Sequence, residues 1–290
     1  MRIAVSILVV LVLGFAAIAL IAHTLKHASL FFPERYPGGY WETARLPVKP
    51  LDAWITTSDG VDLHVWTFLS PDVNAPLLIW FHGNGGNLSY RADTASELAR
   101  RGISTVLFDY RGYGRSEGKP TEHGLYKDSL AAWDYAIKEL KAEPHEIILY
   151  GESLGGPYAA HVAASRGGRC VIIENSFPDL VSMARIAYPN LPFSFFVSRS
   201  MRTAHFLNEA GLPVLIMHGK RDNVIPFRLG VDLFEKLEVP KQFFVSETAG
   251  HSEIAHLEGE RYFSAIMQFA SRAHGVLPEG SIQTNDEVTR

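Results

Sequence analysis

The chain has 290 residues, 47% of them hydrophobic, and 27 basic against 31 acidic side chains give a formal charge of −4. That length suffices for one large domain with a sizeable core, and no composition shift divides it in two. Acids and bases are interspersed, so neither a basic stripe for nucleic acid nor an acidic tail for a basic partner is present.

Residues 3–22 are apolar except for Ser6, with Arg2 ahead of them. About 20 such residues can span a bilayer as a helix, so residues 1–24 are expected to form a single-pass N-terminal membrane anchor. A cleaved signal peptide is the rival reading. Its apolar core is shorter, about 7–15 residues, and Ile21-Ala22-His23-Thr24-Leu25 offers no small-x-small cleavage site. Arg2 on one side and Lys26 and Arg35 on the other leave the orientation open. Residues 25–50 are rich in proline, glycine and aromatics. They suit a linker lying along the membrane surface or across the domain rather than a helix.

A single α/β domain is expected over 51–274. Residues 52–57 and 61–69 flank Ser58-Asp59-Gly60, a hairpin signal. Beyond them, short apolar runs at 77–81, 103–108, 147–150, 171–173, 214–217 and 243–245 read as strands. Residues 89–101, 122–142, 154–166, 227–237 and 253–273 read as helices. Such alternation implies an α/β fold with a mostly parallel sheet and helices on both faces, in which functional residues follow the carboxyl ends of strands. The single cysteine, Cys170, adjoins one of the strand runs and reads as a buried thiol. No cysteine pairing and no H-E-x-x-H spacing calls for a metal. Residues 177–210 interrupt the pattern as a short cap insertion carrying Tyr188, Leu191, Phe193, Phe195, Phe196 and Val197. Those side chains either line an acyl pocket or pack on the core. Residues 275–290 read as a polar tail.

The chemistry gathers around Gly151-Glu152-Ser153-Leu154-Gly155. A serine between a buried strand and a helix sits on a sharp turn with its oxygen exposed, and flanking glycines keep that turn free of crowding. A serine hydroxyl is a poor nucleophile at neutral pH and needs a base, which needs an orienting acid. With this strand–turn–helix arrangement the chain order is serine, acid, histidine. Asp222 follows the strand 214–217, and His251 follows the strand 243–245. Asp109 precedes the serine, Asp232 and Glu235 fall on a helix, and Glu247 lies close to His251 in sequence, so Asp222 is preferred as the acid. His218 reads as a structural strand-end group and His256 as a helix position. The glycine-rich loop His82-Gly83-Asn84-Gly85-Gly86-Asn87 follows the first core strand. It lacks the lysine of a phosphate-binding P-loop and the spacing of a dinucleotide fingerprint. Its reading is half of an oxyanion hole, with backbone N–H groups from Asn84 and Leu154.

The motifs HGNGGN, DYRGYGRSEGKPTEHGLYKD, GESLGG, HGKRDNVIP and AGHSEI together resemble the α/β-hydrolase superfamily. More narrowly, they resemble membrane-anchored bud-emergence-type hydrolases related to abhydrolase-domain protein depalmitoylases. The resemblance covers residues 50–272 and the anchor upstream. It implies Ser153 as nucleophile, Asp222 as acid and His251 as base, with no cofactor. The implied reaction is hydrolysis of an ester, thioester or amide in a small-molecule or acylated substrate. The expected anchor and the apolar insertion, rather than the resemblance, point to a lipid-like or long-acyl one. The chain departs from the palmitoylated depalmitoylases in lacking a cysteine cluster near its start and a cysteine-bearing tail. A serine peptidase of the same fold and a non-catalytic hydrolase-fold scaffold are the alternatives.

Overall fold

Apolar runs with no polar face are stable as strands only in a sheet covered on both sides. They form one in a computed structural model of the protein, which describes residues 31–187 and 200–274. In chain order the strands are β1 (Phe32–Pro33), β2 (Leu51–Thr56), β3 (Asp62–Phe68), β4 (Leu77–Phe81), β5 (Gly85–Gly86), β6 (Ser104–Phe108), β7 (Ile147–Glu152), β8 (Cys170–Glu174), β9 (Val214–Gly219) and β10 (Lys241–Ser246). The α-helices are α1 (Ala92–Arg100), α2 (Glu122–Lys138), α3 (Gly155–Arg166), α4 (Leu180–Ala187), α5 (Thr203–Ala210), α6 (Phe227–Lys236), α7 (Ile254–Glu258) and α8 (Glu260–His274).

The main sheet has eight strands in the order β10-β9-β8-β7-β4-β6-β3-β2. From β10 to β6 every pairing is parallel, while β3 and β2 close the far edge antiparallel. The expected hairpin is this edge, with Leu51 opposite Thr67 and Thr56 opposite Asp62. Every residue of β4, β6, β7, β8 and β9 is buried. Alternate residues of each strand face opposite sides. Leu77, Ile79, Ile147 and Leu149 pack with Trp133 of α2 and Ala160 of α3. Leu78, Trp80, Ile148 and Tyr150 pack with Leu98 of α1 and Ile266 of α8. Cys170 is buried in β8, where desolvation pushes its thiol up to about 12.

Several expected boundaries shift for local reasons. Gly259, with φ +49°, breaks the helix expected over 253–273 into α7 and α8. The helix expected over 89–101 opens as a 3₁₀ turn, Leu88–Arg91, before α1. α2 stops at Lys138, and Pro144–Glu146 forms its own 3₁₀ turn before β7.

Residues 31–50 lie across the domain. Leu46 is buried in the core and the Val48 N–H donates to Ser96 Oγ at 2.8 Å. The segment expected as a cap contains α4 and α5. α5 packs on α3, so this segment also supplies the β8–β9 crossover. Tyr188, Leu191, Phe193, Phe195, Phe196 and Val197 lie outside the described residues, as do the apolar run 3–22, residues 25–30 and the tail 275–290. Among the described residues, no helix is long and apolar enough to cross a membrane.

Candidate active site

At the end of β7 the chain must reverse into α3 within two residues, which puts Ser153 at φ +53°. The Ser153 N–H donates to the Glu174 carbonyl at 2.8 Å, tying the turn to the neighbouring strand. A Cβ at Gly155 would stand 1.8 Å from the Phe81 carbonyl oxygen, and one at Gly151 would stand 2.7 Å from Gly156 Cα. Glycine is therefore required on either side of the serine by close packing of backbone on backbone.

The loop after β9 carries Asp222 and the loop after β10 carries His251, both at the edge where β7 ends. His251 Nδ1 lies 2.7 Å from Asp222 Oδ2 and Nε2 lies 2.9 Å from Ser153 Oγ. A carboxylate only accepts, so Nδ1 carries the proton and Nε2 accepts from the serine hydroxyl. Asp222 Oδ1 accepts the N–H groups of Val224 and Ile225, both at 2.8 Å. His218, whose burial lowers its pKa, donates from Nε2 to the Ile225 carbonyl at 2.9 Å and braces that loop.

The competing acids take other roles. Asp109 is buried and accepts the Leu88 N–H at 2.7 Å. Glu247 pairs with Lys220 at 2.8 Å. Asp232 and Glu235 lie on α6.

Sequence reasoning passed over Asn175. This residue, at φ +46°, accepts the Gly219 N–H at 2.9 Å through Oδ1 and donates through Nδ2 to the His251 carbonyl at 2.5 Å. One side chain thus clamps the loops that carry the acid and the histidine. The available signal was its position directly beyond a strand end.

The loop 82–87 runs against the serine, since a Cβ at Gly83 would lie 3.3 Å from Ser153 Cβ. Leu154 stands at the start of α3, where backbone N–H groups lack intrahelical acceptors. Asn84, Leu154, Ser153 and His251 all line an open cleft of about 800 Å³. Its apolar lining includes Phe177, Leu180, Met183, Val224 and Ile225. Trp80, Arg91, Glu152, Glu174 and Tyr262 line it as well.

The two buried carboxylates of the lining, Glu152 and Glu174, are held oppositely. Burial alone would raise Glu152, but Arg91 grips it at 2.6 and 3.0 Å and Trp80 Nε1 donates at 3.1 Å, holding the carboxyl at about 2. Among the described residues no arginine or lysine pairs with Glu174. Burial pushes it up to about 7, against the pull of the Tyr150 hydroxyl that donates to it. Unfolded glutamate titrates near about 4.3, so the stability Glu174 contributes is complete below that value and is lost as pH rises through 7. Glu174→Gln should flatten the fall in unfolding free energy between about pH 5 and 7.5, by up to about 1.4 kcal/mol per pH unit in urea titrations. An unaltered slope would assign that proton uptake to another group.

A mostly parallel sheet whose central strand delivers a serine through a positive-φ turn to a helix N-terminus defines the class: the chain belongs to the α/β-hydrolase superfamily. Residues 76–197 match the family described as alpha/beta hydrolase fold. The chain is 31% identical to an uncharacterized protein of Mycobacterium tuberculosis, over 75% of this chain and 78% of that one. It is 30% identical to alpha/beta hydrolase domain-containing protein 17B of Homo sapiens, over 80% of this chain and 79% of that one. Among solved structures, the esterase Pf2001 of Pyrococcus furiosus shares the fold. Its TM-score is 0.66 at 20% identity, over 85% of this chain and 99% of that one.

Proposed function

We propose that the protein is a membrane-anchored serine hydrolase that cleaves carboxylic esters or thioesters through Ser153, His251 and Asp222. The observation that carries this reading is the hydrogen-bonded chain Ser153 Oγ–His251 Nε2 at 2.9 Å and His251 Nδ1–Asp222 Oδ2 at 2.7 Å. In the proposed reaction Ser153 Oγ attacks the carbonyl carbon while its proton passes to His251 Nε2. The N–H groups of Asn84 and Leu154 stabilise the oxyanion. Collapse expels the alcohol or thiol, which takes the proton from His251. Water, deprotonated by His251, then attacks the acyl-enzyme and releases the acid and Ser153.

The apolar lining residues Phe177, Leu180, Met183, Val224 and Ile225 support an acyl group of some length as the part bound in the cleft. The apolar run 3–22 supports action at a membrane, with a lipid-like substrate within reach. A fluorophosphonate probe added to membranes holding the full chain should label wild type at Ser153 and leave Ser153→Ala unlabelled. Folded wild type that resists the probe would refute the proposal.

A further inference from the structure

Resting on the acyl-transfer reading above, we infer that the Asn84 side chain and the N-terminal segment around Phe32 form a positioning device for the oxyanion donor. The loop that carries this donor contains Gly83, Gly85 and Gly86, the last at φ +75°. A chain so rich in glycine has many conformations open to it, so the direction of the Asn84 N–H must be set by contacts. The ends of the loop are pinned from within the domain. His82 Nδ1–H donates to the Gly83 carbonyl at 2.7 Å, and the Leu88 N–H donates to buried Asp109 at 2.7 Å.

The middle is pinned from outside the main sheet. Asn84 Oδ1 accepts the Phe32 N–H at 2.9 Å and the Tyr113 hydroxyl at 2.9 Å. Immediately beyond, β1 lies parallel to β5, with Phe32 opposite Gly85 and Pro33 opposite Gly86. The two donors to Asn84 are themselves joined. The Gly114 N–H donates to the Glu34 carbonyl and the Tyr36 N–H to the Gly114 carbonyl, each at 2.9 Å. The strap and the loop bearing Tyr113 therefore act as one support, and both converge on a single amide oxygen. Two directional hydrogen bonds on that oxygen fix the side chain, and through it the peptide whose N–H is assigned to the oxyanion. An oxyanion donor helps only if its direction is set before reaction. The strap also joins the domain to the apolar run 3–22, so the segment leading from that run holds part of the catalytic geometry.

The test uses the full chain and a chromogenic ester. Asn84→Ala and Tyr113→Phe should each lower kcat by about 10–100-fold with KM changed less than about twofold, the pattern of an interaction made in the transition state. Phe32→Pro removes the N–H and is read against Phe32→Ala, which keeps it and carries any effect of losing the ring. The same kcat loss is expected between those two. Tyr113→Phe added to Asn84→Ala should cost nothing more, because both act through one oxygen. The inhibition constant for a trifluoromethyl ketone, whose adduct places an oxyanion in the same site, should rise in step with the loss of kcat/KM. Folded variants with wild-type kcat and wild-type inhibitor affinity overturn the inference while leaving the serine chemistry standing. A wild-type chain without ester turnover or Ser153 labelling overturns the underlying reading instead. If Phe32→Pro fails to fold, Tyr113→Phe and Asn84→Ala decide the matter.

Discussion

Replacing Asp222 by asparagine is expected to lower kcat by about 10⁴-fold while the chain still unfolds cooperatively. The reason lies in which atoms of Asp222 do which work. Oδ1 accepts the Val224 and Ile225 N–H groups, and an asparagine carbonyl can keep both of those bonds. Its amide nitrogen is then turned to His251 Nδ1, which must become an acceptor. The imidazole proton moves to Nε2, which faces Ser153 Oγ at 2.9 Å. A nitrogen that already bears a proton cannot take one from the serine. His218 cannot substitute for the lost acid, because it is a donor held on the Ile225 carbonyl. Steady-state hydrolysis of an activated ester measures the loss, and thermal unfolding checks the fold. A loss below about tenfold would mean that Asp222 does not orient the proposed base.

The parts of the site that were legible in the sequence are those dictated by local sterics or by sheet topology. The turn at Ser153 announces itself because an apolar run, two glycines and a helix leave the chain one way to go. Gly155 against the Phe81 carbonyl shows how little room that route has. Asp222 and His251 could be picked out because a parallel sheet presents its loops at the carboxyl ends of its strands, and each follows such a strand.

What escaped depends on partners distant in sequence. Asn84 meets Phe32 across 52 positions, Asn175 meets Gly219 across 44, and Arg91 meets Glu152 across 61. No periodicity encodes such pairs. A polar residue beyond a strand end, such as Asn175, looks the same in sequence whether it clamps two loops or faces water. Helix limits failed for a milder reason. Gly259 sits in an unbroken amphipathic pattern, and only its left-handed conformation ends α7 there. The linker expected over 25–50 reads as irregular from its prolines and glycines. Its described part takes one of the two placements open to it, across the domain, where contacts of Phe32, Glu34, Tyr36 and Leu46 that no local pattern reveals tie it down.

Ser153→Gly and Ser153→Ala are both expected to reduce kcat by about 10⁶-fold, and adding His251→Ala to either should reduce it no further, since the base has nothing left to activate. The two serine variants should nonetheless differ in stability. Ser153 sits at φ +53°, where a Cβ crowds the following carbonyl at a cost of about 1–2 kcal/mol. The turn cannot relax that contact. Gly155 is lodged on the Phe81 carbonyl and Gly151 on Gly156, so rotating the serine backbone would drive one close contact into another. Alanine keeps the Cβ and its strain, whereas glycine releases it and gives back part of the gain as chain entropy in the unfolded state. The net expectation is that Ser153→Gly unfolds about 2–4 °C above Ser153→Ala, for a difference of about 1 kcal/mol. Loss of the hydroxyl and of its bond to His251 is common to both, so the comparison isolates the backbone. Equal melting temperatures would show that the turn carries no such strain. A higher one for glycine would mean that exposing the serine oxygen is maintained at the expense of fold stability, with the packing of β7 on α3 supplying the constraint.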